Sequence, residues 1–313
     1  MADETIVTLT LNPSVDHSVT VACWVKNRTN RPLQFRRDPG GKGINVSRVV
    51  HRLGGTTVAY GLAGGATGQL VRAALDREGV PSELTEVAGE TRINTIITDQ
   101  SDGSQTRLNL PGPHVTDEEL EALYLRLDAI PNPCCLVVGG SLPEGVPPEV
   151  YETVLASFTA RGVRTYLDAD GDPLRFGIRA KPHLIKPNEY EIAELVGERL
   201  RDLEEFIDAA RSLAGRAANI VVISLGEQGA VAADTDRVLR VRSPRVEPRS
   251  AVGAGDSMLG AMVLSLSRGE DLAEALRWGA AAGAAAVITP GTELCRPEDV
   301  HRLLPEVRVE PVA

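Results

Sequence analysis

The sequence contains few of the residues that build redox, disulfide or zinc sites. Only four of its 313 residues are cysteines, and no two of them form a C-x-x-C pair: Cys23, Cys134, Cys135 and Cys295. This spacing excludes a zinc ribbon and a disulfide framework, so we expect buried free thiols. The histidines match no metal-ligand spacing, and surface or helical positions are expected for them: His17, His51, His114, His183 and His301.

Long apolar runs and a net positive charge are also missing. No segment approaches the about 18 to 20 uncharged apolar residues that a membrane-spanning helix needs. The acidic residues 1–4 lack the basic region of a secretory signal, which predicts a cytoplasmic protein. A net charge of −10 repels nucleic acid and anionic lipid, so neither is an expected partner. Anionic ligands would need a local cationic site, and residues 26–42 form the only basic-dense stretch.

The remaining composition is that of a globular protein, with 42% hydrophobic and 24% charged residues. Short β-branched runs alternate with amphipathic stretches, which predicts a parallel sheet covered by helices. The strand-like runs lie at 6–11, 136–139, 164–167, 220–224 and 231–233. The helix-like stretches lie near 44–53, 69–78, 117–128, 148–160, 189–196, 203–214, 254–267 and 272–287.

Two segments, 14–37 and 92–110, lack helical period and contain alternating apolar and polar residues. We interpret both as antiparallel strands that leave the main sheet and form a lid. No internal repeat or long linker divides the chain. The prediction is therefore a single domain over residues 1–313, with lid strands from these two segments.

The segment Gly253-Ala254-Gly255-Asp256 precedes apolar residues at helical spacing, so a helix begins near Gly255. Unpaired N–H groups and the helix dipole make such a helix start an anion site. A carboxylate beside bound phosphate is a poor ligand but a suitable base for an attacking hydroxyl. An ordinary first-turn or N-cap acid is an equally good interpretation of Asp256 from spacing alone.

Three further segments are weaker when taken singly. Gly40-Gly41-Lys42-Gly43 is a glycine-rich helix entry that is neither a Walker A loop nor a dinucleotide fingerprint, and its alternative is a tight turn with a solvated lysine. In Lys186-Pro187-Asn188 with Glu191, the lysine can reach phosphate oxygens, and the amide and the carboxylate suit Mg²⁺ bound through water. A capped helix with surface acids is the simpler alternative. In the segment 222–230 two strands join through a glycine-containing loop, for which a hairpin turn is favoured.

Together these segments resemble the PfkB (ribokinase-type) carbohydrate kinases. Five motifs occur in family order from about residue 5 to 295, including Gly140-Ser141-Leu142-Pro143 and Ser224-Leu225-Gly226. The resemblance implies a Rossmann-like α/β/α sandwich (ribokinase-like) with a small β-sheet lid, commonly shared across a homodimer. It also implies ATP and Mg²⁺ as cofactors.

The resemblance further implies roles for individual residues. Asp256 is the implied base, and the N–H groups of Gly253, Ala254 and Gly255 take up charge on the transferring phosphoryl group. The implied substrate-binding residues include Asp16 and Asn45 for sugar hydroxyls, and Lys42, Arg92 and Arg31 for the phosphate already present; the others are Gly41, Asn94 and Ser141. Lys186 neutralises ATP phosphates, Asn188 and Glu191 order the waters of the metal, and the nucleotide side is lined by Ser224, Gly226 and Gly229.

Within the family the chain resembles the phosphosugar branch, which holds 6-phosphofructokinases, 1-phosphofructokinases and tagatose-6-phosphate kinases. The segments 64–68, 256–262 and 291–295 resemble the first group, which predicts phosphorylation of fructose 6-phosphate in glycolysis. Lys42 and Thr91-Arg92-Ile93-Asn94 resemble the other two, which stay open as alternatives. The other open classes are a non-catalytic sensing relative, a kinase for a nucleoside or an unphosphorylated sugar, and a nucleotide-dependent oxidoreductase. The loop Asp168-Ala169-Asp170-Gly171 departs from the Asp-x-Ser-Gly of relatives, and no role is assigned to it.

Overall fold

A computed structural model describes residues 5–312. The acidic start, residues 1–4, which carried the argument against a secretory signal, lies outside the described residues. The strands are β1 (Ile6–Thr10), β2 (Ser14–Val21), β3 (Gln34–Gly40), β4 (Thr57–Ala63), β5 (Ser82–Glu86), β6 (Arg92–Asp99), β7 (Gln105–Leu108), β8 (Cys135–Gly139), β9 (Arg164–Asp168), β10 (Leu184–Ile185), β11 (Ile220–Ser224), β12 (Ala230–Ala233), β13 (Val238–Arg242) and β14 (Arg308–Val312). The α-helices are α1 (Lys42–Arg52), α2 (Gly65–Glu78), α3 (Asp117–Asp128), α4 (Val150–Ala160), α5 (Gly171–Gly177), α6 (Glu189–Val196), α7 (Leu203–Leu213), α8 (Ala254–Ser267), α9 (Leu272–Val287) and α10 (Pro297–Leu303).

The main sheet has ten strands in the order β14-β13-β12-β11-β10-β9-β8-β1-β4-β5. In this spatial order, all neighbouring strands between β11 and β5 pair in parallel, as the alternation of strands and helices predicts. The prediction of a parallel sheet was incomplete, because β12, β13 and β14 add an antiparallel edge. The glycine loop after β11 forms the favoured hairpin, with Val221 opposite Ala233.

Helices cover both faces of this sheet, and strand alternation decides which side chains meet which layer. In β1, Val7 and Leu9 join the core beneath α3, α4, α6 and α7, whereas Ile6 joins the core beneath α1, α8, α9 and α10. The apolar stripe of α1, which includes Val46 and Val49, packs in the same cluster as Leu259 and Met262 of α8. The two helices that begin at the predicted glycine motifs are therefore neighbours.

A second sheet has the strand order β3-β2-β6-β7, and its strands come from the two segments predicted to leave the main sheet. The pairs β2–β3 and β6–β7 are antiparallel, as expected. The central pair is parallel, with Asp16 opposite Asn94, so the prediction of antiparallel strands throughout was wrong. The connection between β2 and β6 passes through the main sheet, which lets both strands run in one direction. We call this sheet the lid.

Two other expectations concern cysteines and membranes. Cys135 and Cys295 are buried and Cys134 is partly buried, but Cys23 is exposed because it lies in the loop between β2 and β3. No disulfide links the cysteines in the described part of the chain. Between residues 5 and 312, no helix is both long enough and apolar enough to cross a membrane.

Candidate active site

The candidate site lies at the carboxyl ends of the parallel strands. Ser141 follows β8, Asp168 ends β9, Lys186 follows β10 and Ser224 ends β11. Ligands bind at this edge in open α/β sheets because the strands deliver loops and helix N-termini to one place. The lid strands begin at the same edge, since β2 starts four residues after β1 ends.

Asp256 lies in the first turn of α8. The N-cap of this helix, Gly253, has a left-handed backbone (φ 76°), which a residue with a β-carbon adopts only with strain. Asn45, on α1, donates a hydrogen bond through Nδ2 to Oδ2 of Asp256, at 2.7 Å. Burial and the nearby Asp168 raise the pKa of Asp256, while Lys42 and the bond from Asn45 act in the opposite direction. A carboxylate with a raised pKa at a helix N-terminus is suited to accept a proton.

Asp168 joins two lysines beside that helix N-terminus. Its Oδ1 lies 2.7 Å from Nζ of Lys42, and its Oδ2 lies 3.0 Å from Nζ of Lys186. Burial would raise the pKa of Asp168, but the two ammonium groups hold it below its usual value. A β-carbon placed on Gly255 would lie 3.4 Å from Nζ of Lys186, so this cation borders the start of α8. Sequence reasoning assigned Asp168 no role, although its position at the end of a buried strand was a usable signal.

Lys42 was expected to hold the phosphate already on the substrate, together with Arg92. In the structure its ammonium contacts Asp168 and lies 3.4 Å from Oε1 of Glu191. Burial would lower the pKa of Lys42, but these two carboxylates raise it above its usual value. This placement groups Lys42 with Lys186 rather than with Arg92, and it favours a role at the transferring phosphoryl group.

Asn188 and Glu191 were predicted to serve the metal. In the structure the two residues form a capping box at the start of α6, in which Oδ1 of Asn188 accepts from the N–H groups of Tyr190 and Glu191. Their role towards the metal stays a prediction. Oε2 of Glu191 accepts from the N–H of Asn188, which leaves Oε1 facing Lys42. No cluster of three or more His, Cys, Asp or Glu side chains suited to a metal occurs within residues 5–312. The side chains of Asn188 and Glu191 suit a Mg²⁺ ion that is bound mainly by phosphates and water, as is usual for this ion.

The end of the lid sheet that adjoins the main sheet, which we call the lid root, forms a polar pocket around Asp16. Ser14 donates to Oδ1 of Asp16 at 2.6 Å, and Nδ2 of Asn94 donates to the same oxygen at 3.0 Å. Burial raises the pKa of Asp16 despite these bonds. A β-carbon on Gly40 would overlap the Asp16 carboxylate, so the bare backbone there makes room for it. This pocket offers a partly desolvated acceptor for sugar hydroxyls.

Arg92 begins β6 and forms no salt bridge with any residue between 5 and 312, although the Asp16 carboxylate lies close enough to act on its charge. It donates through Nη1 to the carbonyl of Leu110 at 3.1 Å and through Nη2 to the carbonyl of Asn12 at 3.0 Å. Its Nε is buried and has no hydrogen-bond acceptor in the described structure, and burial lowers the pKa of Arg92. Ser141 lies nearby, because Asn12 donates to both Oγ of Ser141 and the carbonyl of Leu142.

Two other predicted substrate residues lie at opposite ends of the β2–β3 hairpin. Gly41 is the N-cap of α1, next to the Asp16 pocket. Arg31 lies in the exposed loop beyond the last β2–β3 pair, Thr20 and Gln34. That pair is four residues from the pairing of Asp16 with Asp38, or about 14 Å along the strands. The structure therefore does not bring Arg31 to the other cations, and its role stays a prediction.

A cavity of about 860 Å³ opens on the other side of the α8 N-terminus. It is lined by the predicted residues Ser224, Gly226, Gly229, Ala254 and Gly255. It is also lined by small residues of α9, namely Gly279, Ala280, Gly283 and Ala284. The volume is that of a pocket for a ligand of nucleotide size.

Comparison with known proteins gives similarities over nearly the whole chain. A family model described as pfkB family carbohydrate kinase matches residues 9–299. The 1-phosphofructokinase of Bacillus subtilis is 34% identical over 304 residues, which cover 97% of this chain and 99% of that protein. The ATP-dependent 6-phosphofructokinase isozyme 2 of Mycobacterium tuberculosis is 39% identical over 308 residues, which cover 98% of this chain and 90% of that protein.

The same result comes from solved structures. Phosphofructokinase-2 from Escherichia coli, crystallised in complex with potassium, matches with a TM-score of 0.91 at 35% identity, covering 98% of this chain and 99% of that one. This match confirms the predicted ribokinase-like α/β/α fold with its lid. All the site residues described above fall within the range of the family model. The chain therefore belongs to the pfkB family of carbohydrate kinases.

Proposed function

We propose that this kinase phosphorylates a ketohexose phosphate with ATP, and that its substrate is fructose 6-phosphate, converted to fructose 1,6-bisphosphate. The observation that carries the proposal is Arg92. A partly buried guanidinium that forms no salt bridge is costly, because its charge is partly removed from water and only the more distant Asp16 acts on it. A phosphate group on the substrate would supply the missing charge, and the planar fork of arginine suits bidentate phosphate binding.

The placement of the charged groups on different elements supports a substrate that already carries phosphate. Arg92 and the Asp16 pocket lie at the lid root, where Asp16 and Asn94 pair across β2 and β6. The lysine pair and Asp256 lie at the α8 N-terminus. A sugar phosphate with its ring hydroxyls at Asp16 and its phosphate at Arg92 would direct a second hydroxyl towards Asp256. An unphosphorylated sugar or a nucleoside would leave Arg92 with only the more distant Asp16 as a counter-charge.

In the proposed reaction, Asp256 takes the proton from the accepting hydroxyl as its oxygen attacks the γ-phosphorus of ATP, and ADP leaves. The N–H groups at the start of α8 and the ammonium groups of Lys186 and Lys42 stabilise charge on the transferring phosphoryl group. Mg²⁺, when bound with the nucleotide, would neutralise phosphate charge, with Glu191 and Asn188 near its water shell. Phosphoryl transfer depends mainly on such positioning and charge stabilisation. Closure of the lid would exclude water, the competing acceptor.

The relatives do not separate the candidate substrates, since some are named 1-phosphofructokinase and others 6-phosphofructokinase. We favour fructose 6-phosphate because of the segments 64–68, 256–262 and 291–295. Phosphorylation of fructose 1-phosphate is supported equally by the relatives, and Lys42 and Thr91-Arg92-Ile93-Asn94 favour it. Both reactions use the same base and the same phosphate-binding arginine. Mg²⁺ as the metal, glycolysis as the pathway and a cytoplasmic location stay predictions.

The test is a coupled assay of ADP release that compares fructose 6-phosphate, fructose 1-phosphate, tagatose 6-phosphate and free fructose at equal concentrations. A lead in kcat/KM for fructose 6-phosphate is expected. A lead for either of the other phosphates would retain the mechanism and change the substrate. Preference for free fructose, or no turnover with any of the four, would contradict the role of Arg92.

We also propose that the lid forms a homodimer interface. Large apolar side chains are exposed at both edges of the lid sheet and in its loops, including Leu33, Phe35, Leu108 and Leu110. Clustered exposed apolar groups of this kind commonly mark protein interfaces. Sedimentation velocity should show a dimer at micromolar concentration, and a monomer under those conditions would contradict the proposal.

A further inference from the structure

Arg48, on α1, is a fully buried arginine that no role described above uses. It lies one turn after Asn45 on the same helix, so the two side chains meet on one face. Nη1 of Arg48 donates to Oδ1 of Asn45 at 3.3 Å. The other end of the same amide, Nδ2, donates to Oδ2 of Asp256 at 2.7 Å. Arg48 and Asp256 are thus joined through a single side chain.

This chain of contacts fixes which way the Asn45 amide faces. Arginine carries only donors, so the group that meets it must be the amide oxygen. The amide nitrogen then faces Asp256, where it can donate to the carboxylate. The opposite orientation would set an oxygen against the carboxylate and a donor against the guanidinium, and both contacts would be unfavourable.

The remaining donors of Arg48 hold it in place. Its Nε and Nη2 donate to the two carboxylate oxygens of Glu78 at 2.9 and 2.7 Å. Nη1 also donates to the carbonyl of Pro39 at 3.0 Å, and Nη2 lies 3.7 Å from Oδ1 of Asp38. Two carboxylates therefore compensate the buried charge, and the contacts with residues 38 and 39 reach the end of lid strand β3 before α1. A buried guanidinium held in this way is rigid enough to orient a neighbour.

We infer that Arg48 is a positioning residue for phosphoryl transfer: it orients the Asn45 amide, and through it the Asp256 carboxylate. The inference rests on the proposed function, because it concerns the geometry of the proposed base. Arg48 does not touch the substrate in this arrangement. A purely structural arginine would instead lower stability without acting through Asn45.

The experiment is a double-mutant cycle on kcat that combines Arg48→Lys with Asn45→Ala. Lysine keeps the charge but loses the fork that reaches Glu78 and Asn45 together. In the wild-type background, Arg48→Lys is expected to lower kcat by about tenfold with the KM for ATP unchanged, the loss typical of one charge-assisted hydrogen bond. In the Asn45→Ala background, the same substitution should lower kcat no further.

Arg52→Lys is the matched control. Arg52 lies one turn further along α1 and also contacts Glu78, at 3.3 Å, but its other bonds go to the carbonyls of Leu294 and Cys295. Its substitution should leave kcat near the value of the parent protein in each of the two backgrounds. A loss of kcat from Arg52→Lys equal to that from Arg48→Lys would overturn the inference, because it would show a general effect of α1.

Glu78→Gln provides a second variant if Arg48→Lys does not fold. Glu78 is partly exposed and holds Arg48 without touching Asn45. Its effect on kcat should likewise disappear in the Asn45→Ala background. Equal losses in the two backgrounds, or no loss from either variant, would overturn the inference. A wild-type protein without hexose-phosphate kinase activity would instead refute the proposed function on which it rests.

Discussion

Neutralising Asp168 by Asp168→Asn should destabilise the free protein, because it leaves two ammonium groups together without their shared counter-ion. Asp168 is 2% exposed, and its lysine partners Lys186 and Lys42 are 4% and 29% exposed. Removing one partner of a buried ion pair costs about 3 to 5 kcal/mol. We expect about 3 kcal/mol, the lower end of that range, because Lys42 is partly solvated and keeps Glu191. At about 2 °C per kcal/mol, the melting temperature should fall by about 6 °C.

The assay is thermal unfolding at neutral pH, with and without a saturating non-hydrolysable ATP analogue. The triphosphate should supply the negative charge that Asp168 provided, so the analogue should raise the melting temperature of the variant more than that of the wild type. Asp170→Asn is the control, because Asp170 is exposed and lies in the same loop. Its melting temperature should equal that of the wild type both with and without the analogue.

The stabilisation that Asp168 provides depends on pH in a definite direction. The pKa of Asp168 is lowered in the folded protein. Its stabilisation is therefore complete above the unfolded-state pKa of about 3.9 and is lost only as the pH falls through the lower folded value. The difference between wild type and variant should be constant near neutrality and shrink in acid. This account would be refuted if Asp168→Asn had the melting temperature of the wild type. It would also be refuted if the analogue raised the melting temperature of the variant no more than that of the wild type.

Three other predictions concern the reaction itself. Asp256→Asn should lower kcat by about 10²- to 10⁴-fold, with the KM values for both substrates kept, as expected for loss of a general base; full activity would remove Asp256 from that role. Lys42→Met should move the acid limb of the kcat/KM profile to higher pH, since Lys42 lowers the pKa of Asp256; Lys42→Arg should move it little, and an unmoved limb in Lys42→Met would contradict the placement. Gly283→Val should raise the KM for ATP and spare that for the sugar phosphate, because a β-carbon there already lies 3.4 Å from the Ala254 carbonyl at the cavity wall. Gly283→Ala is its milder control, and equal changes in both KM values would argue against a nucleotide pocket.

The predicted elements were those with a strong local pattern. The five strand-like runs and eight helix-like stretches correspond to strands and helices whose bounds differ by only a few residues. Five strands of the main sheet were not predicted, namely β4, β5, β10, β13 and β14. Of these, β10 has only two residues and β14 contains Pro311. Helices α5 and α10 were not predicted either, and each has a proline in its first turn, Pro173 and Pro297. Such segments become regular through their neighbours rather than through their own periodicity.

The site was predictable to the level of residue types and less so to the level of contacts. The glycine motifs gave Asp256 and the α8 start, because helix entries have a sequence signature. The pairing of Lys42 with Asp168 depends on the spatial order of β1, β8 and β9, which no local pattern contains. The orientation of Asn45 by Arg48 depends equally on the burial of α1.

The packing of α1 against α8 has a consequence for synthesis of the chain. Asn45 and Asp256 are 211 residues apart in sequence, yet they share one hydrogen bond. A growing chain can form the Asp16 pocket and α1 long before residue 256 leaves the ribosome, but it then lacks the proposed base and the cavity beside the start of α8. Domains of this kind gain their long-range contacts last, after the cost of closing the loop has been met. Phosphoryl transfer should therefore appear only when the last helices have joined the sheet, and a truncated product of translation would remain inert towards ATP.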